Sequence, residues 1–209
     1  MLTITPPQGP PETAVTGLDN PSWIRRAMLL EQVAEAYADG TFTPAQRSQA
    51  EDLFRTAVYD SEPLARSVLA DVLKRMAQLP RDIVLSLARD EAQVARPILR
   101  ASPLLHDDDL VEIARAGSRV HRLAIAERKE LSAKVAQALC ESRDPQVIRT
   151  LLVNESANLP EPLLHSILDA LDETPGIAEA MESRRLLPAT VTNRLARGTA
   201  RGYAAARRA

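Results

Sequence analysis

Four short apolar clusters each carry an arginine at the same place, and this repeat constrains the fold more than any other feature of the chain. They are Leu64-Ala65-Arg66-Ser67-Val68-Leu69, Val94-Ala95-Arg96-Pro97-Ile98-Leu99, Val120-His121-Arg122-Leu123-Ala124-Ile125 and Val147-Ile148-Arg149-Thr150-Leu151-Leu152. The arginines fall 30, 26 and 27 residues apart, in the period range of solenoids and helical arrays. A unit of that length cannot hide its own apolar face, so neighbouring units must stack.

Composition selects the kind of unit. Hydrophobic residues make up 45% of the 209 residues but aromatics only 3%, so the apolar content is Leu, Ala, Val and Ile. Strands would want more β-branched and aromatic side chains at alternating positions, and seven glycines are too few for a hairpin-rich chain. The reading is all-α: a right-handed α-solenoid of short antiparallel helix pairs, with N-terminal capping helices. The net charge of −2 argues against general nucleic-acid affinity. One cysteine forms no intrachain disulfide and fits a reducing compartment. The N-terminus lacks the pattern of a signal peptide, and no apolar run reaches the roughly 20 residues of a bilayer span. The expected location is the cytoplasm.

Along the chain, residues 1–18 hold Pro6, Pro7, Pro10 and Pro11 with no helical period and read as a disordered lead-in. Residues 19–59 read as the N-terminal cap. A start at Asp19-Asn20-Pro21 leads into the stripe Trp23, Ala27, Leu30, Ala34 and Tyr37, ended by Gly40. A second start at Thr43-Pro44 leads into Ala50, Leu53, Phe54, Ala57 and Val58. Residues 60–172 hold the repeats. Each arginine cluster marks a first helix, followed by a shorter apolar second helix carrying Ile83, Val84, Leu87 and Ala88; Leu110, Val111, Ile113 and Ala114; Val135, Ala136, Ala138 and Leu139; or Leu163, Leu164, Ile167 and Leu168. Pro97 falls inside a cluster and reads as curvature of its helix. Residues 173–209 form C-terminal helices that turn basic: from Ser183 onward there are seven arginines and no acid.

An acid stands six residues before an arginine in Asp60/Arg66 and Asp90/Arg96, with Asp144/Arg149 a near match. This resembles the signature of HEAT-type helical repeats, here in a short, degenerate form. That resemblance implies a ladder in which acid and arginine of neighbouring repeats join one unit to the next; the third unit departs, offering Ser118 before Arg122. The run from about Glu51 to Asp169, with Glu62-Pro63-Leu64-Ala65-Arg66 and Pro80-Arg81-Asp82-Ile83-Val84-Leu85-Ser86-Leu87-Ala88, is similar to the bacterial family called domain of unknown function 2336. That family has no agreed catalytic motif, so the resemblance implies a fold and a bacterial setting and brings no active site.

Short catalytic motifs are missing: no Gly-x-Ser-x-Gly, no phosphate-binding glycine loop, no His-Glu-x-x-His and no paired cysteines. His106-Asp107-Asp108-Asp109 invites a metal reading, but adjacent residues entering a helix cannot converge on one ion, and acids there complement the helix dipole. His165 reads as solvated, His121 as structural, and Cys140 as a partly buried thiol without an activating histidine. No cofactor or metal is expected.

Arg66, Arg96, Arg122 and Arg149 carry two readings. Along a concave surface they would offer donors to phosphates or acidic peptides; tied to Asp60, Asp90 and Asp144 they are staples between repeats, which the recurring acid favours. The basic tail, with Arg194, Arg197, Arg201 and Tyr203, is either a solvated helix or a docking element for an acidic surface. The leading expectation is a non-enzymatic protein-interaction or scaffolding module, presenting a groove of successive second helices to a protein partner, with the C-terminal helices available for a homodimer. Nucleic-acid binding is the first alternative, and an enzyme with a site built from the helices of Trp23 to Tyr59 and the first repeat the second.

Overall fold

The computed structural model describes residues 23–60, 62–171, 174 and 176–206, with the backbone alone for Trp23, Leu171 and 198–206. The proline-rich lead-in 1–18 and the start signal at Asp19-Asn20-Pro21 lie outside these residues. Among the described residues there are twelve helices and no strand. They are α1 (Trp23–Ala38), α2 (Pro44–Ala57), α3 (Pro63–Leu73), α4 (Arg81–Ala88), α5 (Ala92–Ala101), α6 (Asp107–Ala116), α7 (Arg119–Ala126), α8 (Ala133–Glu141), α9 (Pro145–Val153), α10 (Glu161–Leu171), α11 (Ile177–Glu182) and α12 (Ala189–Ala206).

Local chemistry sets the helix ends. Thr43 accepts from the Gln46 N–H while the Gln46 side chain accepts from the Thr43 N–H, satisfying donors that α2 would otherwise leave unpaired. Proline occupies the first turn of α2, α3 and α9, where its missing N–H costs nothing. Ser132 and Asp144 cap α8 and α9 through their side-chain oxygens. α1 stops at Ala38, and Gly40 turns the chain with φ +68°.

The helices form two compact units, 1–105 and 106–209. In the first, α3 packs against both α1 and α5, while α2 lies against α1 and α3, and α4 against α5. Its core holds Leu30, Phe54, Leu69, Leu73, Ile83, Leu87, Ile98 and Leu99, all nearly inaccessible. Tyr37 meets Phe54 edge-to-face at 5.6 Å between ring centres. In the second unit α9 packs against both α7 and α11, α6 against α8, and α10 and α11 each against α12. Ile148, Leu152, Leu164, Ile167, Leu168, Ile177, Met181, Val191 and Leu195 form one continuous cluster there. Fully burying one such aliphatic side chain is worth about 1.5–3 kcal/mol. Helices of eight to eleven residues, marginal alone, are held by this burial.

Pro97 lies inside α5 without ending it. A proline at that position leaves the carbonyl four residues earlier without its helical donor. That carbonyl belongs to Gln93, and the Ser67 hydroxyl of α3 donates to it at 3.3 Å. A neighbouring helix thus supplies the bond that α5 lacks.

Candidate functional site

The arginines were the chemically richest feature of the sequence, and the structure sends them to different tasks. Arg66 of α3 lays its guanidinium along Asp90, just ahead of α5, with Nε and Nη2 at 2.7 and 2.9 Å from the two carboxylate oxygens. The same group reaches Glu91 at 2.8 Å and the backbone carbonyl of Asp60 at 2.5 Å. One side chain therefore joins the end of the loop entering its own helix to the start of the next helix in the same layer. Asp60 spends its carboxylate elsewhere: Arg26 of α1 grips it in the same two-pronged way, at 2.7 and 3.0 Å. Both Arg26 and Asp60 are about nine-tenths buried. The α1, α3 and α5 layer is thus tied by two successive planar ion pairs, a geometry that guanidinium provides and ammonium does not.

In the second unit the corresponding rung belongs to Arg119 of α7, which bonds Asp144 at the start of α9 at 2.5 Å. Arg122, one helical turn later, donates to the carbonyls of Ala114 and Arg115 at 2.7 and 3.3 Å. Those carbonyls close α6, where a cation also complements the helix dipole. Arg149 is exposed on α9, and its side chain lies 3.3 Å from where a Cβ on Gly176 would stand. Arg96 is exposed on α5. Four arginines in one sequence context thus occupy unlike surroundings.

Three contributors had no repeat signature to reveal them. Arg26 lies outside the clusters. Arg184, after α11, donates to the carbonyls of Leu152, Asn154 and Ala157 at 2.9, 2.9 and 3.1 Å, closing the end of α9. Asn154 does the same for α7, donating to Ala126 and Arg128 at 2.8 and 2.6 Å. For Arg119 a signal existed: three residues before Arg122, it lies on the same face of the helix.

Electrostatics agree with a structural use of these groups. Burial pushes the Asp60 carboxyl up, but bonds from Arg26 and the Glu62 N–H, with the charge of Arg66 nearby, outweigh it and hold the group below 3.8. A carboxyl depressed in the folded chain stabilises fully above its unfolded value, and that stability is lost as pH falls through the folded value. Stability from the Arg26–Asp60 pair is therefore complete well above pH 3.8 and is lost as pH falls through the lower folded value. In Arg26→Gln, stability is expected to fall at neutral pH and to decline less steeply on the acid side, as read by urea unfolding across a pH series. Asp144 behaves alike: burial raises it, and Arg119 with the Gln146 N–H brings it below the usual range. Burial also pulls the Arg184 guanidinium down, against the opposing charge of Glu155.

The second helices carry a more exposed set of pairs. In the first unit Arg55 meets Asp82 at 2.8 Å. In the second, Arg115 meets Glu141 at 2.9 Å, Lys134 meets Asp108, and Arg194 meets Asp169 at 2.6 Å. Exposed pairs of this kind contribute only about 0–1 kcal/mol each.

The remaining candidates resolve simply. The His106 N–H donates to the Asp109 carboxylate at 2.9 Å, and Asp107, Asp108 and Asp109 form the first turn of α6. Among the described residues no group of three or more His, Cys, Asp or Glu side chains is arranged to hold a metal ion. His121 bonds the Ser118 hydroxyl at 2.8 Å. His165 lies 3.3 Å from the Thr190 hydroxyl and 3.6 Å from Glu161. Burial, with Glu141 beside it, pushes the Cys140 thiol up to about 12, away from a nucleophilic thiolate. On α12, Val191 and Leu195 are buried and Arg197 is exposed; the side chains of Arg201 and Tyr203 lie outside the described residues. No helix among the described residues is long and apolar enough to cross a membrane.

No curated protein and no solved structure matches the chain significantly. The family described as "Uncharacterised protein conserved in bacteria (DUF2336)" matches residues 94–206. This stretch begins later than the run whose sequence resembles that family and continues through α12. It covers α6 to α12 completely and more than half of the 209 residues, so the chain belongs to this bacterial family.

Proposed function

We propose that the chain is a non-enzymatic protein-interaction module of the bacterial cytoplasm, a HEAT-like α-solenoid whose first-helix edge receives a protein partner. The observation that carries this reading is where large apolar side chains are left in water. Among the described residues these are Ile24, Met28, Tyr59, Leu64, Val120, Val153 and Leu186. Five lie on first helices of the pairs, and among the described residues no second helix carries one. The second helices instead present exposed ion pairs. The docking surface is accordingly assigned to first helices, and not to the groove of second helices that the sequence suggested.

In the first unit two of these apolar side chains share one face of α1. Ile24 and Met28 stand one turn apart on the exposed face of α1, opposite the buried Arg26, and Leu64 is exposed in the first turn of α3. An apolar face one helical turn long suits a small amphipathic partner element. Affinity capture from a lysate of the source bacterium, repeated with Ile24→Asp/Met28→Asp, tests it. Wild type is expected to retain a defined protein in near-stoichiometric amount, and the variant to lose it without a change in melting temperature. Retention of no protein, retention indifferent to the variant, or a nuclease-sensitive complex would each defeat the reading.

A further inference from the structure

We infer that α12 is a docking arm for an acidic helix of a partner protein. From Ser183 onward every charged side chain is an arginine, seven in all, with neither lysine nor acid among them. On α12 itself, positions 194, 197 and 201 recur at intervals of three and four, which return a helix to the same face.

The structure contains an example of what this face takes. α10 lies beside α12, and two contacts join them: the Thr190 hydroxyl donates to Glu161 at 2.5 Å, and Arg194 donates to Asp169 at 2.6 Å. Both contacts advance in the same sense along the two helices, so α10 and α12 run side by side in one direction. α10 stops at Leu171, two residues beyond Asp169, whereas α12 continues from Arg194 to Ala206. At 1.5 Å per residue those twelve residues add about 18 Å of helix, against about 3 Å left on α10. Arg197 is exposed and makes no ion pair among the described residues. A carboxylate-bearing helix laid end-on to α10 would continue the row that Glu161 and Asp169 begin.

Charge and residue type narrow the occupant. Guanidinium groups suit paired recognition of carboxylates. Insertion into a lipid surface wants bulky apolar side chains opposite the basic face, and Tyr203 is the one aromatic in this stretch. Single-stranded nucleic acid wants aromatic platforms at intervals, which the stretch lacks.

The test is fluorescence anisotropy at low salt on the full chain, with three probes: a labelled helical peptide bearing glutamates at three- and four-residue spacing, a duplex DNA, and vesicles of anionic lipid. The peptide is expected to bind wild type, to lose about ten-fold or more in affinity to Arg197→Glu/Arg201→Glu, and to lose less to Arg197→Gln/Arg201→Gln. It should bind Ile24→Asp/Met28→Asp as it binds wild type, which separates this surface from the apolar edge in the first unit. No peptide binding, equal binding by the charge-reversed variant at unchanged melting temperature, or tighter binding of duplex or vesicles than of peptide would overturn the inference.

Discussion

Arg66→Ala is expected to cost about 3 kcal/mol of stability, the range found when one partner of a largely buried ion pair is removed. The size follows from what is left behind. Arg66 is about seven-eighths buried and serves four acceptor oxygens, two on Asp90, one on Glu91 and the Asp60 carbonyl. Its removal leaves Asp90 largely buried without the guanidinium and takes a donor from the Asp60 carbonyl, while the half-exposed Glu91 turns to water. Arg66→Lys is expected to recover part of the loss and no more, because an ammonium cannot serve both oxygens of Asp90 in one plane while also reaching Asp60. Thermal unfolding of the two variants beside wild type checks both statements. Equal melting temperatures for Arg66→Ala and wild type would mean that the rung between α3 and α5 contributes nothing.

Gly117→Ala is the second large effect, expected at about 2 kcal/mol. Gly117 joins α6 to α7, and its backbone, at φ −74° and ψ 171°, is open to any residue. The penalty is one of space. A Cβ there would stand 2.6 Å from the Ile113 carbonyl oxygen and 2.9 Å from the His121 Cβ. The carbonyl has little freedom to retreat, since it accepts the Gly117 N–H at 2.7 Å. His121 is held in turn by Ser118. Urea unfolding of Gly117→Ala reads the loss, and a larger side chain such as valine is expected to lose more. Substitution at the exposed turn glycine, Gly40, meets no neighbouring atoms within 4 Å, so its effect is confined to the strain of a positive φ.

Much of the helical scaffold was legible because the period of an amphipathic helix is a local property. Ala50, Leu53, Phe54, Ala57 and Val58 are buried, as are Ile83, Val84, Leu87 and Ala88 and the matching sets of α6 and α8. Each stripe depends on the few residues of its own helix and on proline or a polar cap at its entrance. Proline inside α5 was legible as an irregularity, but its resolution was not, because the hydroxyl that serves Gln93 comes from Ser67, 26 residues away.

The arginines mark the limit. Their recurrence is visible in the chain, yet Arg66 bridges to another helix, Arg122 closes the end of α6, and Arg96 and Arg149 face outward. A guanidinium on a long stem reaches any acceptor within several ångströms, so its partner is chosen by the rotation and offset of neighbouring helices. Those quantities are absent from a local motif. Arg119, one turn from the repeated position, takes Asp144 for the same reason.

What the order of residues settled alone was the all-helical character and the apolar stripe of each element, since both follow from spacing within one helix. Which arginine meets which carboxylate, which glycine leaves no room for a methyl group, and which apolar side chains stay in water were settled only when the helices were laid against one another. The rung ion pairs join groups 24 to 34 residues apart, the room at Gly117 depends on the angle at which α7 leaves α6, and the exposed apolar side chains are a face left over after packing. Apolar periodicity within one helix specifies none of these.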